Sequence, residues 1–538
     1  MKTKTIIKGV FVLAMSLGLT NCTDNFEDLN TNPYKITGES LEQDYNDIGA
    51  YYPNMLRMVV NTTHWRYQIA QNLCSDSWAA YLAAPTPFAG GTNNTTYKMV
   101  WKDHAWNSSY EGIMAPAKKI IELAQEKKKP QFEAWAKLIR IYGMQRVASL
   151  HGPIIYSDYG KSATTSKYDA EETLYTNFFT ELDEVMTVLT EYKDFKGFKR
   201  FDVAYKGDIT KWLKLANTLR LKLAIRISNI KPDLAKTQAE KAVANEFGLI
   251  VSNDDNFNVD LGGTPHPLST ICYSWGDTRM SATMESFLVG YHDGRVGKMF
   301  APIADADMAL VTDHAAFPYK GIKNGAKLVA KERRVSYSKV GEFFQTTPYH
   351  TLVNAAEVNF MLAEGKLRGW NMGGKTAQQY YEDGIRTSFT QWGASGADEY
   401  LANNALKPIN YKDPKGETPT ENAFDAQTEI TIAWDDAAAN EVKLERIITQ
   451  KWIAGFPDSY EAWSDFRRTG YPKIEPVYQN DSNESDGTIA NGDYIKRMRF
   501  IEKEYASNQA GVADAVTKLG GPDKINTSLW WDKVGSNF

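Results

Sequence analysis

The segment Gly207–Ser228, Gly-Asp-Ile-Thr-Lys-Trp-Leu-Lys-Leu-Ala-Asn-Thr-Leu-Arg-Leu-Lys-Leu-Ala-Ile-Arg-Ile-Ser, limits the fold more than any other. Ile209, Trp212, Leu213, Ala216, Leu219, Leu223 and Ile227 recur at the three- and four-residue spacing of one helical face. Leu215, Leu221 and Ile225 widen that stripe, so the helix must be covered on more than one side. Asp208 is placed to cap the first turn. Arg226 lies near the other end, where a cation favours the helix macrodipole. Such a helix reads as a central member of a stack of helix pairs, and it carries no chemistry by itself.

Helical spacing recurs along much of the chain. Leu41–Leu82 reads as mostly helical, with Met55, Leu56, Met58, Val59, Ile69 and Leu73 as core candidates. Tyr110–Gln125 and Gln131–Leu150 form a hairpin broken at Lys127–Pro130, and Ala170–Tyr192 and Pro232–Asn245 flank the central segment. Met280–Val289 is a further helix, and Leu352–Leu367 pairs with Lys375–Trp392 before Asn440–Gly455 and Tyr460–Arg467. These lengths and short breaks predict a mainly α fold of tetratricopeptide-type helix pairs. The remainder is irregular, notably Ala83–Thr96, Gly248–Pro267, 301–347, 395–436 and Asn480–Asp493.

A chain of 538 residues can bury a large core, and a net charge of -5 gives no electrostatic footprint for nucleic acid. Its 3 cysteines exclude a disulfide-rich scaffold and a four-cysteine zinc site. Cys74 and Cys272 are either a pair or two buried free thiols.

Met1–Asn21 reads as a signal peptide, with Lys2, Lys4 and Lys8 ahead of the apolar run Val10–Leu19, which is too short to span a membrane. Leu19-Thr20-Asn21-Cys22 resembles a bacterial lipobox, which implies acylation of Cys22. Residues 22–40 then form a lipid-anchored tether, with Asp24, Glu27 and Asp28 resembling a surface-export signal, and 41–538 form one folded domain. The chain is thereby anchored to a membrane without spanning it.

Motifs for catalysis are missing from the sequence. The histidines never fall at the helical spacing of a metal site, and the loop Ser482–Asp493 follows a calcium loop only loosely. There is no phosphate cradle and no nucleophile elbow. No pair of carboxylates is marked by its surroundings as a glycosidase dyad. No metal and no cofactor is expected. What remains is binding. The chain carries 14 Trp, 29 Tyr and 23 Phe. Most are core, but Trp and Tyr rings also cover the C–H face of a sugar while amides and guanidinium groups bond its hydroxyls. Ala83–Thr96 is long for a loop and is flanked or occupied by Trp78, Tyr81, Phe88, Tyr97, Trp101 and Trp106, with Asn93 and Asn94. A second aromatic, polar loop is Cys272–Arg279. The candidate ligand contacts are Trp78, Tyr81, Asn93, Asn94 and Tyr97 from the first region, and Tyr273, Trp275 and Arg279 from the second.

Four stretches resemble the SusD/RagB family of Bacteroidetes outer-membrane nutrient-binding lipoproteins. They are Asp28-Leu-Asn-Thr-Asn-Pro33, the central Trp212–Ser228, Ile448-Thr-Gln-Lys-Trp-Ile453 with Glu461-Ala-Trp-Ser-Asp-Phe-Arg-Arg-Thr-Gly-Tyr-Pro472, and Gly520-Gly-Pro-Asp523 with Trp530-Trp-Asp532. The resemblance runs over Cys22–Phe538, with Asp293-Gly294-Arg295 departing from the usual Asp-Pro-Arg. It implies helix pairs supporting an irregular, loop-rich half, and a surface lipoprotein that caps a SusC-like TonB-dependent transporter. It implies capture and delivery of oligosaccharides without cleavage. A surface glycosidase and a protein-binding adhesin are the alternatives. Trp463, Phe466, Arg467 and Arg468 read as a packed, ion-paired buttress.

Overall fold

The broad apolar stripe of the central segment is fully used. The computed structural model describes residues 42–538 apart from 89–91, 163–164, 417, 419–420 and 533–535. The described residues fall into two units, one ending at Ala50 and one spanning Tyr51–Phe538. The described part of the first holds a 3-10 turn, Gln43–Tyr45, and a helical turn, Asn46–Gly49. The expected signal peptide, Cys22 and the tether lie outside the described residues.

The second unit is mainly helical. Its longer helices are α1 (Tyr52–Val60), α2 (Ala115–Glu126), α3 (Pro130–His151), α4 (Glu171–Glu191), α5 (Ile209–Arg226), α6 (Pro232–Ala244), α7 (Ala282–Gly290), α8 (Ala355–Leu367), α9 (Ala377–Trp392), α10 (Asn440–Gly455), α11 (Ser459–Thr469) and α12 (Gln509–Leu519). Successive helices from α2 to α6 pack on one another, α8 packs on α9 and α10, α10 packs on α11, and α5 touches both α8 and α11. This is a stack of helix pairs of the tetratricopeptide type. Two two-stranded antiparallel ribbons lie in the irregular half: β1 (Leu82–Ala83) with β3 (Arg279–Met280), and β2 (Phe257–Asp260) with β4 (Tyr349–Val353).

The Asp208 carboxylate accepts the Thr210 N–H at 3.0 Å and the Lys211 N–H at 3.3 Å, which opens α5 as its capping position predicts. Trp212 is buried among Tyr205, Trp135 and Phe257. Trp135 stacks in turn on Tyr52 (3.8 Å) and Phe198 (4.2 Å), so much of the aromatic content is core. Where α9 crosses α8, a Cβ at Gly384 would meet the Phe360 ring at 2.8 Å, and only glycine allows that approach. Cys74 and Cys272 are both free and buried. Among the described residues no helix is long and apolar enough to cross a membrane.

The polar residues of α5 are buried too. Lys222 lies 2.8 Å from Glu357 of α8 and 3.6 Å from Glu461 of α11, and Arg226 lies 2.7 Å from Glu461. Arg226, placed by the sequence near the helix end where a cation favours the macrodipole, does lie in the last turn and is also an internal ion-pair partner. Lys451 of α10 meets Asp465 at 2.6 Å, and Arg468 of α11 meets Glu364 of α8 at 2.6 Å and Asp465 at 3.1 Å. Arg467 lies flat over the Trp463 ring at 3.4 Å, so the Trp463–Arg468 motif is a buttress. Burial pushes the Glu364 carboxyl up, but Arg468 and Arg368 outweigh it and hold it down at about 2.

Two buried histidines meet where the β2–β4 ribbon joins the loop before Pro267. His266 Nδ1 accepts the Leu268 N–H at 3.2 Å, and His266 Nε2 lies 2.8 Å from His350 Nδ1. Burial lowers His266 to about 3, and burial followed by His266 and Arg146 lowers His350 well below the ordinary range.

Two measurements follow from these buried charges. Glu364→Gln leaves Arg468 and Arg368 short of a counter-charge and is expected to cost about 3–5 kcal/mol at neutral pH, read from the urea midpoint. Glu364 has a depressed folded-state pKa. Its stabilisation is therefore complete above the unfolded carboxylate value of about 4.3 and is lost as pH falls toward 2, so the gap between the two proteins should close over that window. A gap that does not vary with pH would contradict the ion pair. The two histidines run the other way from exposed imidazoles. The unfolded chain takes up protons near pH ~6.5 and the folded chain does not, so both withdraw stability as pH falls below that value. Their ring resonances should report neutral imidazoles at pH ~5. Protonated rings at that pH would show that the pair is open to water.

Candidate functional site

Most of the aromatic rings among the described residues are buried, which makes the exposed ones informative. Helix α1 ends at Asn61, which adopts a left-handed conformation (φ 55°), and the chain restarts as the helical turn His64–Tyr67, which runs on into the π-helical segment Gln68–Asn72. That turn leaves His64 and Trp65 exposed, Trp65 by 44%. The Trp275 ring meets His64 edge-on at 4.9 Å, and the Trp65 ring meets His104 edge-on at 6.0 Å. The His104 N–H bonds the Trp101 carbonyl at 3.3 Å, and the Trp101 ring, 37% exposed, meets Phe88 edge-on at 6.0 Å. Trp275–His64, Trp65–His104 and Trp101–Phe88 are thus three part-exposed ring pairs, linked into a row by the adjacency of His64 and Trp65 and by the His104–Trp101 backbone bond. Trp101 holds φ 55°, a conformation that costs a bulky residue about 1–3 kcal/mol and is common at ligand clamps.

Polar groups border the row. Asp277 accepts Gln68 Nε2 at 3.1 Å and pairs with Lys331 at 2.5 Å, and Lys331 also bonds the Trp275 carbonyl at 2.5 Å. Gly276 takes φ +69°, which lets the chain turn between Trp275 and Asp277. The Arg66 guanidinium lies 5.2 Å from the Trp65 ring centroid. Burial lowers the His104 imidazole, with Asp103 opposing, which favours its neutral form. A row of ring faces and edges with mixed polar groups beside it can cover the apolar face of a neutral, hydroxylated ligand and bond its rim.

The structure brings the two loops chosen from the sequence together. Leu82 pairs with Met280 and Ala83 with Arg279, and Asn72 Nδ2 bonds Thr278 Oγ1 at 3.3 Å. Of the eight candidate contacts, Trp275 and Tyr273 are part-exposed, and Trp275 belongs to the ring row. Tyr273 gives its hydroxyl to the Val340 carbonyl at 2.6 Å. The other six are buried, and five spend their polar atoms within the chain. Trp78, 7% exposed, donates to the Asn94 carbonyl at 3.0 Å and packs on Trp463. Tyr81 donates to the Trp452 carbonyl at 2.5 Å. Asn93 caps the turn Asn94–Thr96, accepting the Thr95 N–H at 2.9 Å. Asn94 donates to Cys74 Sγ at 3.1 Å and accepts the Val100 N–H at 2.7 Å. Arg279 donates to the Val335, Cys272 and Thr278 carbonyls. Tyr97 is buried with φ 67°. These six hold the loops in place beneath the surface and offer no face to a ligand in this conformation. The reason is local: five of the six carry a bond that needs the interior.

Sequence reading placed His64 and Trp65 inside a continuous helix and so did not select them. The signal was the break at Asn61-Thr62-Thr63, which frees the next turn to point outward.

A SusD-like family model, described as SusD and RagB outer membrane lipoprotein, matches residues 28–532. A chitin-binding SusD homolog from Flavobacterium johnsoniae is similar at 43% identity, covering 92% of this chain and 100% of that one, with a TM-score of 0.85. A SusD-like protein from Bacteroides thetaiotaomicron is similar at 35% identity over 90% of this chain and 98% of that one, with a TM-score of 0.82. A SusD homolog from Bacteroides vulgatus is similar at 33% identity over 92% and 100%, with a TM-score of 0.84. No curated protein matches the chain. The family model spans nearly the whole sequence and the structural likeness covers 92% of it, and on both counts the chain belongs to the SusD-like family of outer membrane lipoproteins.

Proposed function

We propose that this protein captures neutral oligosaccharides on the ring row Trp275–His64–Trp65–His104–Trp101–Phe88. It then passes them, uncleaved, to a SusC-like TonB-dependent transporter. The observation that carries the reading is the row itself: connected, part-exposed rings in a molecule whose other rings are mostly core. Family membership supports a nutrient-binding role, and the chitin-binding homolog from Flavobacterium johnsoniae supports a glycan, with N-acetylated β-linked sugars as the first class to try. The ring faces take the C–H face of each sugar, and Asp277, Gln68 and Lys331 take hydroxyl or acetamido groups. Of the residues selected from sequence, Trp275 makes direct contact and Tyr273 lies at the margin. Trp78, Tyr81, Asn93, Asn94, Tyr97 and Arg279 support the surface from behind. Acylation of Cys22 anchors the protein at the cell surface.

An oligosaccharide panel scored for both retention and new reducing ends tests capture without cleavage. Retention of one glycan class with no new ends is expected, and new ends would replace capture by glycoside hydrolysis. Trp65→Ala and Trp275→Ala should each weaken that retention about tenfold or more while leaving thermal unfolding unchanged. Trp78→Ala should instead destabilise the fold by about 3–5 kcal/mol. Unchanged affinity in both surface variants would remove the ring row as the site. Cys22→Ser should abolish incorporation of labelled fatty acid and release the protein from the membrane fraction, and continued labelling would place the anchor elsewhere.

A further inference from the structure

Behind the ring row lies a cavity that the capture role does not use. Its volume is about 200 Å³, and it is walled by Asn258, Tyr349 and His350 of the β2–β4 ribbon, by Gln391 and Trp392 at the end of α9, and by Phe343. That is smaller than the range of about 300–1,000 Å³ typical of sites for drug-sized ligands, so it suits no more than a single ring. An open cleft of about 620 Å³ shares Phe343, Gln391 and Trp392 with it and is also lined by Lys298 and Glu342.

Three buried polar atoms on this wall have no hydrogen-bond partner: Gln391 Oε1, Trp392 Nε1 and His350 Nε2. The proton on His350 can be assigned. His266 Nδ1 accepts the Leu268 N–H, so the His266 proton is on Nε2 and is donated to His350 Nδ1. The remaining proton of His350 is therefore on Nε2, the atom without a partner. The wall thus presents two N–H donors and one carbonyl acceptor, each of which costs about 1–3 kcal/mol when buried and unmet. Beside them, Phe343 meets the Trp392 ring at 5.3 Å and 66°, which gives an apolar wall with a ring edge.

We infer that this cavity is a second sugar subsite, taking a single neutral ring that bears hydroxyl or acetamido groups. A hydroxyl accepts from either N–H and donates to the carbonyl, and an acetamido group does both at once. Among the described residues the cavity lining holds no Asp, Glu, Lys or Arg, so an ionised ligand would be buried without a counter-charge. A purely apolar ligand would leave all three polar atoms unmet. The inference extends the glycan reading but rests on a different set of residues.

The test uses the full chain in a detergent without a sugar headgroup. N-acetylglucosamine and glucose are titrated separately and followed by saturation-transfer NMR. At least one of them is expected to bind saturably. Gln391→Leu and Trp392→Phe, which keep the bulk of each side chain, should each weaken that binding about tenfold. Trp65→Ala should leave monosaccharide binding within about twofold while reducing oligosaccharide retention. Absence of saturable monosaccharide binding to the unaltered chain would mean that the cavity holds only water, and would overturn the inference. Monosaccharide binding lost in Trp65→Ala but kept in Gln391→Leu would also overturn it, by assigning the signal to the ring row. Because the ring row is judged on oligosaccharide retention and the cavity on monosaccharide titration, either can fail without deciding the other.

Discussion

The buried ion pairs between α5, α8, α10 and α11 set the geometry on which the rest depends. Lys222, Arg226, Lys451 and Arg468 face Glu357, Glu461, Asp465 and Glu364 at the junction of two groups of helix pairs. Taking these charges out of water is costly, and a hydrophobic junction of the same volume would be as stable or more so. What the charges add is register. Lys222 must lie within reach of α8 and Arg226 one turn on must lie within reach of α11. A slide of one residue along α5 would strand two cations in the core. The helix pairs before α5 and those after it are therefore locked in a single alignment. Burial pushes the Glu461 carboxyl up, yet Arg226, Lys222 and Lys451 hold it well below the usual range, the signature of a site built for its charged form.

That alignment carries the surface. Asp458, just ahead of α11, is bonded by Arg146 of α3 at 2.9 Å, and Ser459 bonds Asp76 at 2.5 Å. Asp76 also accepts Gln71 at 3.1 Å and Asn72 at 3.1 Å. Asn72 reaches Thr278, and Gln68 reaches Asp277. A path of bonded polar groups thus runs from the helix stack through Ser459, Asp76 and Asn72 to Thr278 in the Cys272–Arg279 loop. Burial raises Asp76 to about 6, with Ser459, Asn72 and Gln71 pulling it down. The loops are irregular in backbone, but their position is set by the helices.

The fold was legible and the site only partly so, for different physical reasons. Helices such as α3, α5 and α10 announce themselves because one buried face repeats every three to four residues. Lys222 and Arg226 were not legible as core, because a basic residue on a helix usually means a solvated face. Only the partners on α8 and α11, more than a hundred residues away, make it otherwise. The rings suffer from the same limit. Trp78 and Trp65 are alike in type and neighbourhood in the sequence, yet one is 7% and the other 44% exposed. What separates them is Trp463 on α11, which covers the first and not the second. Loop composition pointed to the right region, and β1 pairing with β3 brings its two halves together. It did not point to the right rings, since a ring that holds a loop and a ring that faces a ligand look the same in a sequence.

The turn His64–Tyr67 shows how closely the surface and the interior are tied. At 3.6 residues per turn, positions 65 and 67 project from nearly opposite sides. Trp65 faces outward in the ring row, whereas Tyr67 faces inward, with its ring 6.2 Å from His266 and 6.1 Å from His350. Gln71 donates to the Tyr67 hydroxyl at 2.9 Å and fixes that inner side. The turn runs directly into the π-helical segment Gln68–Asn72, so its order comes from that continuation together with the packing of Tyr67. The inner side of the segment that presents His64 and Trp65 thus packs on the histidine pair, which itself lines the cavity beside the β2–β4 ribbon, so surface and cavity share Tyr67 as a neighbour.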